Sequence, residues 1–282
     1  MTTDRRQFIH SVSAAAGLGA FAASVSASSS KPRAAWTLAL ATYSFRTQNM
    51  EGLIERCRAL NVRTIELSHL VDMLPQADFS KFPEIRDKLK AGGVDLRSWY
   101  CGDVTKGAPV DRIVEGVHLL GVKMVSGSVP RDQLDALNDA CEKGGFRFGI
   151  HNHYFENRKF AYETPDDILS ALKGRPNLYS TLDAGHMIAV GVDPTEAYEK
   201  LKPHVRTIHL KDEDRPGHGV VLGKGKGDLA KFLRTITNDG FNGLGAIEYE
   251  EGTDPQQEVA ECIEFIREHV TLKDPGFKSA KL

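Results

Sequence analysis

His151-Asn152-His153-Tyr154-Phe155-Glu156 closes one short apolar run, and Leu182-Asp183-Ala184-Gly185-His186 closes the next. Ile208-His209-Leu210-Lys211-Asp212 and Ile247-Glu248-Tyr249-Glu250 close two more. His151, Asp183, His209 and Glu248 follow one another at intervals of 32, 26 and 39 residues, room each time for one helix and a return strand. Groups that meet only at the carboxyl ends of successive parallel strands have this spacing. The pattern predicts a single-domain α/β fold, a (β/α)8 TIM barrel, with a divalent-metal site at its mouth.

Strand and helix patterns alternate on both sides of these segments. Apolar runs at 36–42, 62–67, 94–100, 122–125 and 146–150 read as strands, followed by 178–182, 205–210 and 244–247. Helical spacing falls between them, at 50–60, 82–91, 110–120 and 132–143. Gly92-Gly93, Gly121 and Gly144-Gly145 stop three of these helices. Further helices open at Thr164-Pro165, at Pro194, at Asp228 as an N-cap, and at Pro255. The stretch from Glu213 to Gly227 reads as a glycine- and lysine-rich loop. Eight strand–helix units imply a closed parallel barrel, and an open doubly wound sheet is the structural alternative. No glycine fingerprint follows the first strand, which argues against a dinucleotide fold.

The chain has 282 residues, and a barrel of this kind takes ~250. A formal net charge of −2 without a long basic block gives no electrostatic footprint for nucleic acid. No run of strongly apolar residues is long enough for stable membrane insertion. A homo-oligomer is compatible with the sequence. Cys57, Cys101, Cys141 and Cys262 lack any CxxC spacing and read as four buried thiols.

The N-terminus lies outside the barrel pattern. Asp4-Arg5-Arg6-Gln7-Phe8-Ile9 and the Ala/Gly/Ser-rich stretch after it resemble a twin-arginine export signal, although Asp4 stands where that signal more often has Ser or Thr. Small residues at Val25 and Ala27 suit cleavage after Ala27. The expected organisation is a leader at 1–27, a linker at 28–35, the barrel at 36–274 and a tail at 275–282. The twin-arginine machinery is then a transient partner and the periplasm the destination.

Asp, His and Glu together offer mixed oxygen and nitrogen donors, which suit Mn2+, Zn2+, Co2+ or Mg2+ rather than a thiolate-bound metal. One such residue alone would be an ordinary polar strand end. Four on four strand ends of one barrel make a metal site. Strand-end position also marks Glu66 as a pocket residue. Tyr43, Trp99 and Tyr100 are candidate aromatic walls of a pocket, with core packing as the alternative. Lys211 is either a pocket cation or a surface partner of Asp212. His153 shares a strand face with His151 and is a substrate contact or a replacement ligand. Glu156 is a second acid/base or a solvated loop acid. Lys224 and Lys226 lack P-loop spacing.

These motifs resemble the xylose isomerase-like barrel superfamily of sugar isomerases and epimerases, over essentially the whole mature chain. Asp183-Ala184-Gly185-His186 looks like that family's Asp-x-x-His turn, and Gly223 to Asp228 is similar to its Gly-x-Gly-x-x-Asp loop. The resemblance implies metal ligands at Asp183, His209 and Glu248 on the sixth, seventh and eighth strands, with His186 contacting substrate. On the fifth strand the family often carries Glu, where this chain has His151. An imidazole still binds metal but is a poor second carboxylate base, which puts simple 3-epimerisation in doubt.

The expected activity is a sugar isomerase or epimerase dependent on one divalent metal, working through a metal-bound enediolate on a keto-sugar or sugar derivative. Glu248 is the expected base, with His186 and Glu156 as further catalytic groups. The metal ligands are His151, Asp183, His209 and Glu248. Glu66, His153, Tyr43, Trp99 and Lys211 are the expected contacts to a small carbohydrate substrate. A metal-dependent dehydratase or lyase on a keto-sugar or 3-keto-glycoside is the alternative, followed by a non-catalytic periplasmic sugar-binding barrel.

Overall fold

The computed structural model describes residues 30–73, 79–104, 109–273 and 276–277. The expected leader at 1–27 lies outside them. Strands β1 (Thr37–Ala41), β2 (Thr64–Leu67), β3 (Asp95–Asp103), β4 (Met124–Ser128) and β5 (Arg147–His151) come first along the chain. After them come β6 (Leu178–Asp183), β7 (Val205–Leu210), β8 (Asp212–Arg215), β9 (His218–Val220) and β10 (Leu244–Ile247). β1 to β7 and β10 form a closed barrel in the order β1-β10-β7-β6-β5-β4-β3-β2, every pairing parallel. β8 and β9 form a separate antiparallel hairpin.

The helices are α1 (Met50–Ala59), α2 (Phe82–Ala91), α3 (Pro109–Leu120), α4 (Leu134–Gly144), α5 (Pro165–Leu172), α6 (Ala184–Ala189), α7 (Pro194–Leu201), α8 (Leu229–Asn238) and α9 (Gln256–His269). α8 buries Leu229, Phe232, Leu233 and Ile236, one stripe at 3.6-residue period. α5 starts in a capping box. Asp167 N–H donates to the Thr164 hydroxyl, and the Asp167 carboxylate accepts from Thr164 N–H. α4 ends at Gly145, whose φ of 62° is the left-handed cap that glycine adopts without penalty.

Every residue of β6 is buried, as expected for a strand covered on both faces. Alternation along the strands sends Ile65, Leu67, Phe148, Ile150, Leu182, Ile208 and Leu210 into the continuous apolar core. Glu66, Ser126, Thr181 and His209 occupy the other parity and are buried as well. Ser126 and Thr181 join through their hydroxyls at 2.9 Å, so this second set is polar and internally bonded.

The structure refines four sequence expectations. Within the expected linker, the described residues dock on the barrel: Thr271 N–H donates to Pro32 O at 2.8 Å, Ala34 N–H donates to Thr271 O at 2.9 Å, and Ala34 is buried. In the segment after β6, Asp183 caps an extra short helix, α6, before the one that opens at Pro194. The expected loop after β7 begins with the β8–β9 hairpin. The tail also touches the barrel, since Phe277 N–H donates to Asn61 Oδ1 at 3.0 Å.

Candidate metal centre

His151, Asp183 and His209 end β5, β6 and β7 side by side, because adjacent parallel strands place His151 beside Thr181 and Asp183 beside His209. One ligand atom from each lies within 4.8 Å of the others, and all three residues are buried. His151 Nε2 is 3.4 Å and His209 Nδ1 is 3.5 Å from Asp183 Oδ2. Glu248, just past β10, reaches the same group, with Oε2 at 3.1 Å from His209 Nδ1. The other Asp183 oxygen accepts the His186 N–H at 2.9 Å, and Asn152 Oδ1 accepts the Asp183 N–H at 2.8 Å. The carboxylate is thus aimed by its role as helix cap.

His209 is oriented from behind. Its Nε2–H donates to Glu66 Oε2 at 2.6 Å, and Ser98 Oγ donates to the other Glu66 oxygen at 2.8 Å. That bond leaves Nδ1 as the nitrogen that faces Asp183 and Glu248. Nδ1 of His209 is buried without a hydrogen-bond partner among the described residues. A buried imidazole nitrogen facing two carboxylates fits a divalent cation that displaces its proton, and a carboxylate behind the ring is the usual support for such a ligand.

The charges are strongly coupled. Burial alone would lower the His209 pKa, but Glu248 and Glu66 hold it well above the ordinary value. Burial alone would raise Asp183, yet His186 and the Lys211 ammonium keep it well below the usual carboxylate range. Glu248 is lowered in the same sense, against its burial, by His209. The acids that would bind a cation are therefore ionised at neutral pH.

Lys211 is buried, not a surface cation beside Asp212. Its Nζ lies 2.9 Å from Glu250 Oε2 and 3.7 Å from Glu213 Oε1. Burial would lower its pKa, but Glu250 and then Asp183 hold it up. Asp212 turns instead to the glycine loop. Its carboxylate accepts the N–H groups of Gly223, Gly225, Gly227 and Glu213. Lys224 is exposed and pairs with Glu261, away from any anion-gripping arrangement.

The aromatic expectations divide. The Tyr100 ring lies 5.0 Å from that of His151 and 5.7 Å from that of His209, at the centre itself. Trp99 does not wall the pocket. Its neighbour in sequence faces the site, so the pleat turns Trp99 outward, where it packs edge-on against Phe79 and Phe82 and covers Gly116. Tyr43 sits against His69 and beneath Arg46, and burial followed by Glu250 raises its pKa. His153 packs against His186 at 4.4 Å and lies 3.7 Å from Asp103. Glu66 stands behind His209, bonded to its Nε2. Glu156 is exposed, and no hydrogen bond or ion pair among the described residues joins it to the centre. Glu213 was not a sequence candidate. Only the hairpin turns this fully buried carboxylate back toward His186, at 3.7 Å from Nδ1.

Cys57, Cys141 and Cys262 are buried free thiols, and Cys101 is half-buried.

Residues 129–269, half of the chain, match the family model for the xylose isomerase-like TIM barrel. The chain belongs to that family. Curated proteins give no match to the sequence. Among solved structures, the 3-keto-D-glucoside 4-epimerase YcjR of E. coli superposes with a TM-score of 0.67 at 13% identity, covering 83% of this chain and 99% of that one. The D-psicose 3-epimerase of Clostridium cellulolyticum H10 gives 0.65 at 12%, over 83% and 99%. The probable 3-DHS dehydratase AsbF of Bacillus anthracis gives 0.65 at 14%, over 82% and 98%. At these identities the likeness is one of fold. The xylose isomerase-like barrel places its strand ends, and hence His151, Asp183, His209 and Glu248, on one face.

Proposed function

We propose that the protein is a divalent-metal-dependent isomerase or epimerase of a keto-sugar or sugar derivative. The convergence of His151, Asp183 and His209 from three strand ends carries this reading. These three side chains, with Glu248, would hold the ion. When bound, a divalent cation supplies Lewis acidity toward adjacent oxygens of a hydroxy-ketone.

The residues supply the proton chemistry. Glu248 is ionised and accepts the proton from the carbon next to the carbonyl. Return of that proton to the neighbouring carbon isomerises the sugar, whereas epimerisation needs a second proton donor on the opposite face of the carbon. Burial and the Lys211 ammonium hold the His186 imidazole well below its ordinary pKa, so it meets substrate hydroxyls as a neutral group. Lys211 keeps its charge beside Glu250 and offers a cation to developing negative charge. Tyr100 and His153 bound the space around the His151 ring.

A dehydratase or lyase is the second reading. His151 stands where a second carboxylate base would be needed for two-base epimerisation. One acid/base at Glu248 suits removal of a proton followed by loss of a β-substituent.

Metal analysis of purified protein, then solvent-deuterium exchange against keto-sugars and 3-keto-glycosides, tests both readings. Deuterium next to the carbonyl without loss of a substituent supports isomerisation or epimerisation, and an unsaturated product supports elimination. Protein that takes up no divalent metal, with Asp183→Ala indistinguishable from wild type, would refute both. On the Arg5-Arg6 pair we also assign the first 27 residues to a cleaved export leader with a periplasmic destination. An intact Met1 on protein recovered from the native host would refute that assignment.

A further inference from the structure

We propose that Glu213 is a positioning residue for His186, holding its imidazole in the form protonated at Nδ1 so that an unprotonated Nε2 stands beside Asp183. The inference rests on the metal-centre reading above.

A neutral imidazole has one N–H, and its location decides which nitrogen can accept a proton or a substrate hydroxyl. His186 is buried, and two carboxylates compete for that hydrogen. Asp183 Oδ2 lies 3.9 Å from Nε2, and Glu213 Oε1 lies 3.7 Å from Nδ1. The distances alone do not separate them, but the surroundings do. Asp183 Oδ2 already faces His151 Nε2 and His209 Nδ1, and Asp183 belongs to the ligand group. Glu213 Oε1 and His186 Nδ1 are both fully buried, and neither has a hydrogen-bond partner among the described residues. Two buried polar atoms in that state each cost free energy until they meet. A contact at 3.7 Å closes to bonding distance with a small side-chain rotation.

Glu213 is also anchored for the task. Its other oxygen accepts the Gly217 N–H at 2.9 Å at the hairpin turn. Its backbone O accepts Lys226 N–H, and its backbone N–H donates to Asp212. The Lys211 ammonium lies 3.7 Å from the same free oxygen and is compatible with the bond, because a carboxylate oxygen has two lone pairs.

Long-range proton–nitrogen NMR of 15N-histidine protein, loaded with Zn2+, reads the tautomer directly. The His186 resonances are those missing from His186→Gln. The expected result is an Nδ1–H tautomer in wild type, lost in Glu213→Leu. An Nε2–H tautomer in wild type overturns the proposal, as does a Glu213→Leu spectrum identical to wild type. A merely structural role for Glu213 would change stability without moving the hydrogen between nitrogens. If Glu213→Leu fails to fold, the wild-type tautomer still decides. A sample that takes up no zinc overturns the metal-centre reading, whereas the tautomer read on that sample still decides for or against Glu213.

Discussion

His209 and Glu66, 143 residues apart in sequence, meet through a 2.6 Å bond from Nε2–H to Oε2 in the barrel interior. The bond fixes both the ring plane and the free nitrogen of a candidate ligand. Glu66→Ala is expected to weaken Zn2+ or Mn2+ binding about 10- to 100-fold, the usual cost of losing a carboxylate behind a ligating histidine. Competition with a chromogenic chelator measures it, and unchanged affinity would remove Glu66 from the metal site.

Proton release should accompany metal binding. The raised pKa of His209 means that the metal-free imidazole keeps its proton above the ordinary histidine range. A cation must displace that proton, so affinity rises with pH until the folded-state pKa is passed. Calorimetry at pH 7 in two buffers of different ionisation heat should therefore give different apparent enthalpies. Identical enthalpies would show that no proton leaves.

Gly185 has no room for a side chain. A Cβ there would stand 2.5 Å from Lys211 Cγ, within a buried stem that also carries the ammonium to Glu250. Gly185→Ala should cost about 1–3 kcal/mol, as overpacking does, and a denaturant titration would show it.

Asp212 gathers four backbone N–H groups, three of them from alternate glycines of one loop. Asp212→Ala leaves those donors without their acceptor, a loss on the order of 3 kcal/mol if the loop stays in place. Hydrogen exchange at Gly223, Gly225 and Gly227 should accelerate markedly. Protection equal to wild type would mean that the loop is held by other contacts.

The cap of α5 gives a pH dependence. Burial would raise the Asp167 carboxyl, but bonds from Thr164 lower it below its ordinary value. A depressed acid contributes stability above its unfolded pKa and loses it as pH falls through the folded one. Asp167→Asn should therefore destabilise the protein by about 1 kcal/mol at pH 7 and by less as the pH falls below that folded pKa. Urea melts at pH 7 and at a pH below that folded pKa check the sign.

Much of the barrel was legible because its signals are local. Phe82–Ala91 and Leu244–Ile247 have the bounds that their apolar spacing predicts. Asp183, His209 and Glu248 stood out because strand-end acids and imidazoles recur at barrel spacing. Trp99 was misread because the parity of β3 depends on where the strand starts, and a one-residue difference turns a side chain to the opposite face. Glu213 was invisible for a different reason. Its burial depends on a hairpin and on glycine N–H groups folding around Asp212, contacts that no sequence period records. The pairing of Pro32 and Ala34 with Thr271 is equally long-range and left no local trace.

That last pairing fixes where the chain ends leave the barrel. It lies just before β1 and just after α9, at the amino ends of the strands, whereas the candidate ligands crown the carboxyl ends. A purification tag, a fluorophore or a surface tether placed next to Pro32 or Thr271 would thus start from the floor of the cylinder, away from the mouth.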